Sequence, residues 1–316
     1  MSQITQRDAF WNRVYELEKE HGNIVVVSAD MGAPALDKFR KDFPHKFVNA
    51  GIAEQNAILI SAGMALTGKR VFAYAIAPFI TLRCIEQTRV NSGIMNIPIT
   101  IVGVSGGFGY VDAGPTHHST EDIAMMRVIP HITVQSASDA AMASYFAERS
   151  MVMENTNYVR LDRQPSPDLY KPNSDFSNGL TVLKEGKSYM VATGAMTPLA
   201  LTASEALAKK GIDVGVIDVY EFPIHVQPFL NAVKYAEKLI TLEEHYLPAG
   251  LGGAVCEVLM DNQVYKPIDR IALPQEKGYC YEYGERESLR RYFGIDLESV
   301  IQRVTNFIPK SHYSNV

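Results

Sequence analysis

Cysteine is scarce in this chain: Cys84, Cys256 and Cys280 are its only three among 316 residues. Three thiols cannot all pair, and their wide spacing fits no zinc pattern, so reduced intracellular cysteines are the simplest reading. Long apolar runs are missing too; none reaches the ~18 residues that a membrane span requires. Positive charge is not in excess. Thirty Lys and Arg against 35 Asp and Glu give a net charge of −5, which offers no basic footprint for nucleic acid and no polybasic membrane patch. The glycine-rich stretch 105–118 contains no Gly-Lys-Ser/Thr, and its glycine spacing is wrong for a dinucleotide fingerprint. The opening Met-Ser-Gln-Ile-Thr-Gln-Arg-Asp is polar and shows no secretory signal, so a cytoplasmic protein is expected.

What is present is an ordinary globular composition, 47% hydrophobic and 21% charged, in a length that suggests about two domains. Residues 6–21 carry a helical pattern with Phe10, Val14 and Leu17 on one face. Ile24-Val-Val-Val-Ser-Ala29 reads as a fully buried strand. Strands are expected again at Arg70–Ile76, Ile97–Val104, Ile132–Gln135 and Asn157–Leu161. The helices between them begin near Glu54, run from Phe79 through Val90, follow Thr120 as a cap, and span Asp139 to Glu148. Strands alternating with helices imply a parallel sheet covered on both faces. From Pro165 to about Gly179 the composition turns to Pro, Asp, Ser and Asn, a linker signature. The alternation then restarts, with strands at Tyr189–Thr193, Val214–Val219 and Lys238–Glu243 and helices at Thr197–Lys210, 227–236 and after Ala254. The expectation is two α/β domains, residues 1–164 and 183–316, joined by a linker at 165–182.

Four stretches are candidates for chemistry, each with a plain structural alternative. Asp30 follows a strand, where open α/β sheets place ligand sites, but turn and capping residues also sit there. Glu54 opens a helix of small and apolar residues, in which Ile58, Ala62 and Ala65 recur at helical spacing and Gly68 stops the run. Gly51 as N-cap would let Glu54 bond back to the free amides, a purely structural role. The glycine-rich loop 105–118 ends in Pro-Thr-His-His, and two histidines there suit proton transfer or recognition of substrate hydroxyls. Its alternative is a flexible surface loop with solvated histidines. Gly250-Leu-Gly-Gly253 before a helix fits either anion binding or close helix–strand packing.

Taken together, Ser28-Ala-Asp30, Gly51-Ile-Ala-Glu54-Gln, Gly114-Pro-Thr-His117, Asp162-Arg-Gln164 and Glu243-Glu-His resemble the transketolase family, in order and at family spacing. The resemblance covers the chain from Arg7 to beyond residue 300. It implies a thiamin-diphosphate enzyme of which this is the C-terminal section: a pyrimidine-binding domain followed by a C-terminal domain, both doubly wound α/β. It assigns Glu54 to the pyrimidine nitrogen of the cofactor, where it starts the proton relay, and Phe79 to stacking on the pyrimidine ring. Ile76 and Leu82 fall at neighbouring pocket positions, and Asp30 near the cofactor. His117, with His118 and Asp112 beside it, falls on the substrate hydroxyls, and Arg163 and Arg7 on a substrate phosphate, where a guanidinium fork suits the dianion. A glutamate that must keep its proton needs burial to outweigh the helix N-terminus, and the Ala, Ile and Gly residues around Glu54 supply it.

Two departures narrow the reading. Family positions usually held by His and Asp, both recognition residues, are Ser105 and Ala113 here, which points away from ordinary pentose phosphates. The Gly-Asp-Gly motif that the family uses for the diphosphate and Mg²⁺ is absent from the sequence. The resemblance therefore implies a partner chain carrying the diphosphate and Mg²⁺ site, with symmetric closure as an α₂β₂ heterotetramer. Two other readings stay open: the β subunit of a thiamin-dependent 2-oxoacid dehydrogenase, and a non-catalytic α/β scaffold.

Overall fold

The computed structural model describes residues 4–308, so the outermost ends of the two expected domains, 1–3 and 309–316, lie outside the described residues. Its first strand, β1 (Ile24–Ser28), is buried along its whole length. Val25 and Val27 point into one apolar cluster with Ala57 and Ile58, whereas Ile24 and Val26 pack on Phe10, Trp11 and Val14 in another. A strand apolar on both sides fits only inside a sheet with both faces covered. β1 pairs in parallel with β2 (Phe47–Asn49) on one side and β3 (Arg70–Ile76) on the other. β4 (Thr100–Val104), β5 (Ile132–Ser136) and β6 (Thr156–Leu161) continue the sheet in parallel.

Helices α1 (Gln6–His21), α2 (Pro34–Asp42), α3 (Glu54–Ala65) and the short α4 (Ala77–Ile80) and α5 (Ile85–Thr88) connect these strands, followed by α6 (Asp122–Arg127) and α7 (Ala140–Ser150). Thr5 caps α1 by accepting from the Asp8 amide, and Gly22 ends it at φ 70°. Asp139 caps α7 by accepting from the Met142 amide at 2.9 Å.

The second sheet holds β7 (Leu180–Lys184), β8 (Ser188–Ala192), β9 (Val214–Val219), β11 (Leu239–Tyr246) and β12 (Ile268–Leu273) in the order β12-β11-β8-β9-β7, with β7 antiparallel. Around it lie α8 (Thr197–Ala208), α9 (Val226–Ala232), α10 (Leu251–Asp261), α11 (Arg286–Phe293) and α12 (Leu297–Phe307). The remaining strand, β10 (Glu221–Phe222), follows β9 directly but joins the other sheet, antiparallel to β5. It completes a seven-stranded sheet ordered β10-β5-β6-β4-β3-β1-β2. The two doubly wound α/β units of the sequence reading are present, and the later one lends the earlier one an edge strand.

Several local expectations are corrected. The helix expected over Phe79 to Val90 is instead a series of short turns: α4, a 3₁₀ turn at Leu82–Cys84, α5, and a π-helical turn at Arg89–Ile94. Pro78 lies in the first turn, where it costs no hydrogen bond, and Thr81 then twists to φ −103°, ψ −78°. β4 begins at Thr100 rather than Ile97, because Pro98 has no amide to give a ladder. Ala53, not Gly51, is the N-cap of α3, and Glu121, not Thr120, is that of α6. The helix expected at 227–236 ends earlier, at Ala232. β7 starts inside the stretch read as linker, since Leu180 is already paired with Val219.

Candidate active site

The carboxyl ends of β1, β3, β4 and β6 face the same side of the first sheet, and the candidate residues gather there. This is where parallel sheets leave a crevice between the loops. Glu54 is the first residue of α3 and is 3% exposed. Its carboxylate does not turn back to the helix amides. Instead Arg83 Nη1 donates to Glu54 Oε2 at 2.6 Å. In this chain by itself, Glu54 is thus one half of a pair with Arg83.

Phe79 leaves α4 half-buried, and the Arg83 guanidinium lies over its ring, 4.3 Å from the centroid. His117 meets the same ring edge-on, with centroids 5.0 Å apart and planes at 69°. Ile76 and Leu82, both partly buried, flank Phe79 in the chain, at the end of β3 and in the turn after α4. The Leu82–Cys84 turn is tied to its surroundings through Gln55 Nε2, which donates to the Arg83 carbonyl at 3.1 Å, and Cys84 Sγ, which donates to the Phe79 carbonyl at 3.2 Å. Burial pushes the Cys84 thiol up to about 12, which keeps it protonated and inert.

The loop after β4 folds back on itself: the Gly107 and Ser119 backbones exchange hydrogen bonds at 2.9 Å. Gly107 is at φ 60°, and a Cβ there would meet the Glu244 carboxylate, so glycine is required on both counts. His117 is half-exposed, with Thr116 Oγ1 3.0 Å from its Nδ1 and the Tyr110 ring 5.9 Å away. Its neighbour His118 turns inward. His118 is 5% exposed and packs edge-on against Phe108, and burial holds its imidazole below the usual range. The structure therefore separates the histidine pair: His117 is half-exposed against Phe79, and His118, expected beside it on the substrate hydroxyls, packs into the interior.

The arginines form a second cluster. Arg163 lies over the Tyr110 ring at 3.9 Å and reaches Asp112 Oδ1 at 3.3 Å. Arg7 joins its backbone amide to the Asp162 carbonyl at 3.1 Å and pairs its side chain with Asp8. The chain start and the end of β6 thus bring both guanidinium groups to one edge. Asp30, exposed at φ 54°, is held by Asn49 Nδ2 at 3.0 Å. Ser105 is buried at φ 66°, and its Oγ has no partner among the described residues. Among the described residues no three His, Cys, Asp or Glu side chains group as a metal site would need.

Sequence reasoning missed three features. Arg83 followed a pocket residue directly, and that adjacency was the available signal. Tyr110 sat unremarked in the glycine-rich loop. The third is a buried charge network beneath that loop. Glu244 accepts from Arg286 Nη2 at 2.7 Å, from Arg290 Nε at 2.6 Å and from the Phe108 amide at 3.1 Å, and Arg286 also pairs with Asp162. Those cations hold the Glu244 carboxyl far below its usual range despite full burial. Glu243 accepts from the Leu251 and Gly252 amides at 2.6 and 2.8 Å, which settles Gly250-Leu-Gly-Gly253 as a helix start satisfied from within.

With this geometry in place, comparison with known proteins gives a consistent answer. The pyrimidine-binding domain of transketolase matches residues 2–167, and the transketolase C-terminal domain matches residues 180–300. One of the subunits of the apulose-4-phosphate transketolase of Phocaeicola vulgatus is 34% identical over 313 residues, which is 97% of this chain and 98% of that protein. The 6-deoxy-6-sulfo-D-fructose transketolase subunit SqwH of Clostridium sp. is 29% identical, over 94% of this chain and 92% of its own length. A solved structure described as a split gene transketolase, inactive beta4 tetramer, superposes with a TM-score of 0.85 at 32% identity, covering 96% of this chain and 98% of that one. The chain belongs to the transketolase family, as its pyrimidine-binding and C-terminal domains.

Proposed function

We propose that this chain is the C-terminal subunit of a split, thiamin-diphosphate-dependent transketolase, active with a partner that carries the diphosphate and Mg²⁺ site. The reaction is transfer of a two-carbon ketol unit from a ketose donor to an aldose acceptor. The observation that carries the reading is the meeting of Glu54, Phe79 and His117 at one mouth, with Phe79 and His117 rings 5.0 Å apart. Nothing in packing alone requires a buried carboxylate, a half-exposed aromatic ring and a loop histidine to converge.

The chemistry of these side chains suits the pyrimidine end of that cofactor. A flat, hydrogen-bond-donating guanidinium already lies across Phe79 and bonds to Glu54, the two contacts an aminopyrimidine would need. When bound, the cofactor supplies the electron sink for breaking and making the carbon–carbon bond. In this proposal Glu54 holds a proton at the pyrimidine nitrogen, Phe79 stacks on the ring, Ile76 and Leu82 exclude water, and Asp30 borders the cofactor. His117 orients sugar hydroxyls and moves a proton to or from them. Arg163, Arg7 and Asp112 line the outer edge, where the two arginines anchor a terminal anionic group. Ser105 and Ala113 leave out two usual recognition groups. Together with relatives named for apulose 4-phosphate and 6-deoxy-6-sulfo-D-fructose, this favours a branched, deoxy or otherwise modified sugar.

A partner is supported from two sides. The Gly-Asp-Gly motif is absent from the sequence, and the split-gene relative made of β chains alone is described as inactive. Ile52 and Leu66 at the two ends of α3, Leu59 on it, and Ile94 and Met95 on the turn packed beside it are exposed along the helix that Glu54 opens. An apolar rim of that kind calls for cover by another chain, and an α₂β₂ heterotetramer in the cytoplasm is the proposed assembly.

The test is to mix this chain with a partner carrying Gly-Asp-Gly, add thiamin diphosphate and Mg²⁺, and screen phosphorylated and sulfonated ketoses as donors. Ketol transfer by the mixture and none by either chain alone is the expected result. Full activity of this chain alone would overturn the split assignment, and acceptance of 2-oxoacids but not ketoses would move it to the dehydrogenase class.

A further inference from the structure

The two groups assigned to the pyrimidine in the proposed function are both already engaged, and by the same side chain. Arg83 Nη1 donates to Glu54 Oε2 at 2.6 Å, and its guanidinium carbon stands 4.3 Å from the centre of the Phe79 ring. Its backbone is fixed by Gln55, but the side chain is 44% exposed against 4% for that of Glu54. One partner of the pair is therefore anchored in the fold and the other hangs from a surface turn. A guanidinium is planar, delocalised and a donor only, so it satisfies an aromatic face and a carboxylate edge together.

We propose that Arg83 is a placeholder: it fills the pyrimidine subsite of the unliganded subunit and swings out when cofactor and partner chain complete the site. The inference rests on the assignment of Glu54 and Phe79 to the pyrimidine. Its physical cause is the burial of Glu54. An ionised carboxylate that is desolvated and unpaired is costly, and among the described residues only Arg83 forms an ion pair with it. Arg83 supplies that charge while the site is half-built. Because one ring face cannot carry two flat groups, the cofactor must displace it, and the displacement weakens cofactor binding. Exposure of the arginine makes the exchange feasible without unfolding the turn.

Two measurements separate this idea from the functional reading on which it rests. In the full chain without partner or cofactor, Arg83→Gln, Glu54→Gln and the double variant are melted in parallel. Each single change is expected to shift Tm by about 2–4 °C, and the double variant to shift no further than the larger single one. Additive shifts would overturn the pairing. In the complex with the partner subunit, thiamin diphosphate with Mg²⁺ is titrated calorimetrically into wild type and Arg83→Gln. About tenfold tighter binding by Arg83→Gln, equivalent to ~1.4 kcal/mol, is expected. Unchanged or weaker binding would make Arg83 a bystander or a permanent part of the loaded site, and would end the proposal. Absence of binding by both proteins would instead sink the cofactor assignment itself.

Discussion

Glu54 and Glu244 are nearly equally buried, at 3% and 4% exposed, yet the fold treats them in opposite ways. Glu244 receives two arginines and a backbone amide, which satisfies both oxygens from within the chain. Glu54 receives one arginine, half-exposed, and no amide from the described residues. A buried charge saturated by rigid partners belongs to the architecture. A buried charge whose single partner is an exposed side chain is left open to exchange. Burial alone does not distinguish these cases; the number and rigidity of the partners do.

The comparison can be broken most forcefully at Glu244. Glu244→Ala takes from Arg286 and Arg290 the buried carboxylate they share, leaving them only Asp162 and Glu287, and removing one partner of a buried pair costs about 3–5 kcal/mol. Denaturant unfolding should show that loss, with the loop carrying His117 among the first parts released. Next comes Glu54→Gln. It should change stability by only about 1 kcal/mol, while turnover of the assembled enzyme falls by about 10²–10⁴-fold. If Glu54→Gln unfolds the chain and Glu244→Ala only slows turnover, the contrast drawn between them is wrong.

A third carboxylate sharpens the contrast through pH. Asp218 is wholly buried, accepts from Ser138, Thr197 and Tyr170 at 2.8 Å each, and is lifted by burial to about 7. Between the ordinary carboxylate range near ~4 and about 7, the folded state holds a proton that the unfolded state has released. Stability from this group therefore falls as pH rises through that window. Glu244 has the opposite sign: its contribution is present above the ordinary range and is lost only as pH falls below it. Melting curves from pH 4 to 8 should show the Asp218 slope in wild type and lose it in Asp218→Asn.

The smallest expected effect is at the outer edge. Arg163→Lys keeps the charge but gives up the flat stack on Tyr110 and the forked geometry, so KM for an anionic donor should rise about tenfold, ~1.4 kcal/mol, with kcat little changed. An equal fall in kcat would place Arg163 at the reacting centre instead.

Most of the fold was legible because the alternation of buried strands and amphipathic helices is a local property. Ile24–Ser28 and Thr100–Val104 announce themselves by β-branched residues, and Thr5, Gly22 and Asp139 mark helix ends by their own chemistry. The sheet that β10 joins was not legible, since two residues carry no periodicity and their pairing with β5 depends on where two units dock. At the candidate site, Glu54 and His117 were singled out by their motifs and Phe79 by its place in the family resemblance. Local spacing said nothing of side-chain direction, and so His117 and His118, adjacent in sequence, were expected to act together. Their opposite orientations follow from the hydrogen-bonded return of the loop between Gly107 and Ser119. Glu243-Glu-His also turned out to be a structural signature. Glu243 caps α10, Glu244 anchors the loop, and His245 Nε2 accepts from the Ala124 amide at 3.2 Å.

The edge strand β10 has a consequence for how the chain is made. Translation delivers β5 long before Glu221 and Phe222, with the whole linker and the strands β7 to β9 emerging in between. During that interval the nascent first sheet exposes an unpaired row of backbone donors and acceptors at β5, the kind of edge on which chains stick to one another. A ribosome paused or truncated before residue 221 would release a species with its sheet unfinished, so expression of the first unit by itself should yield aggregate where the intact chain yields folded protein.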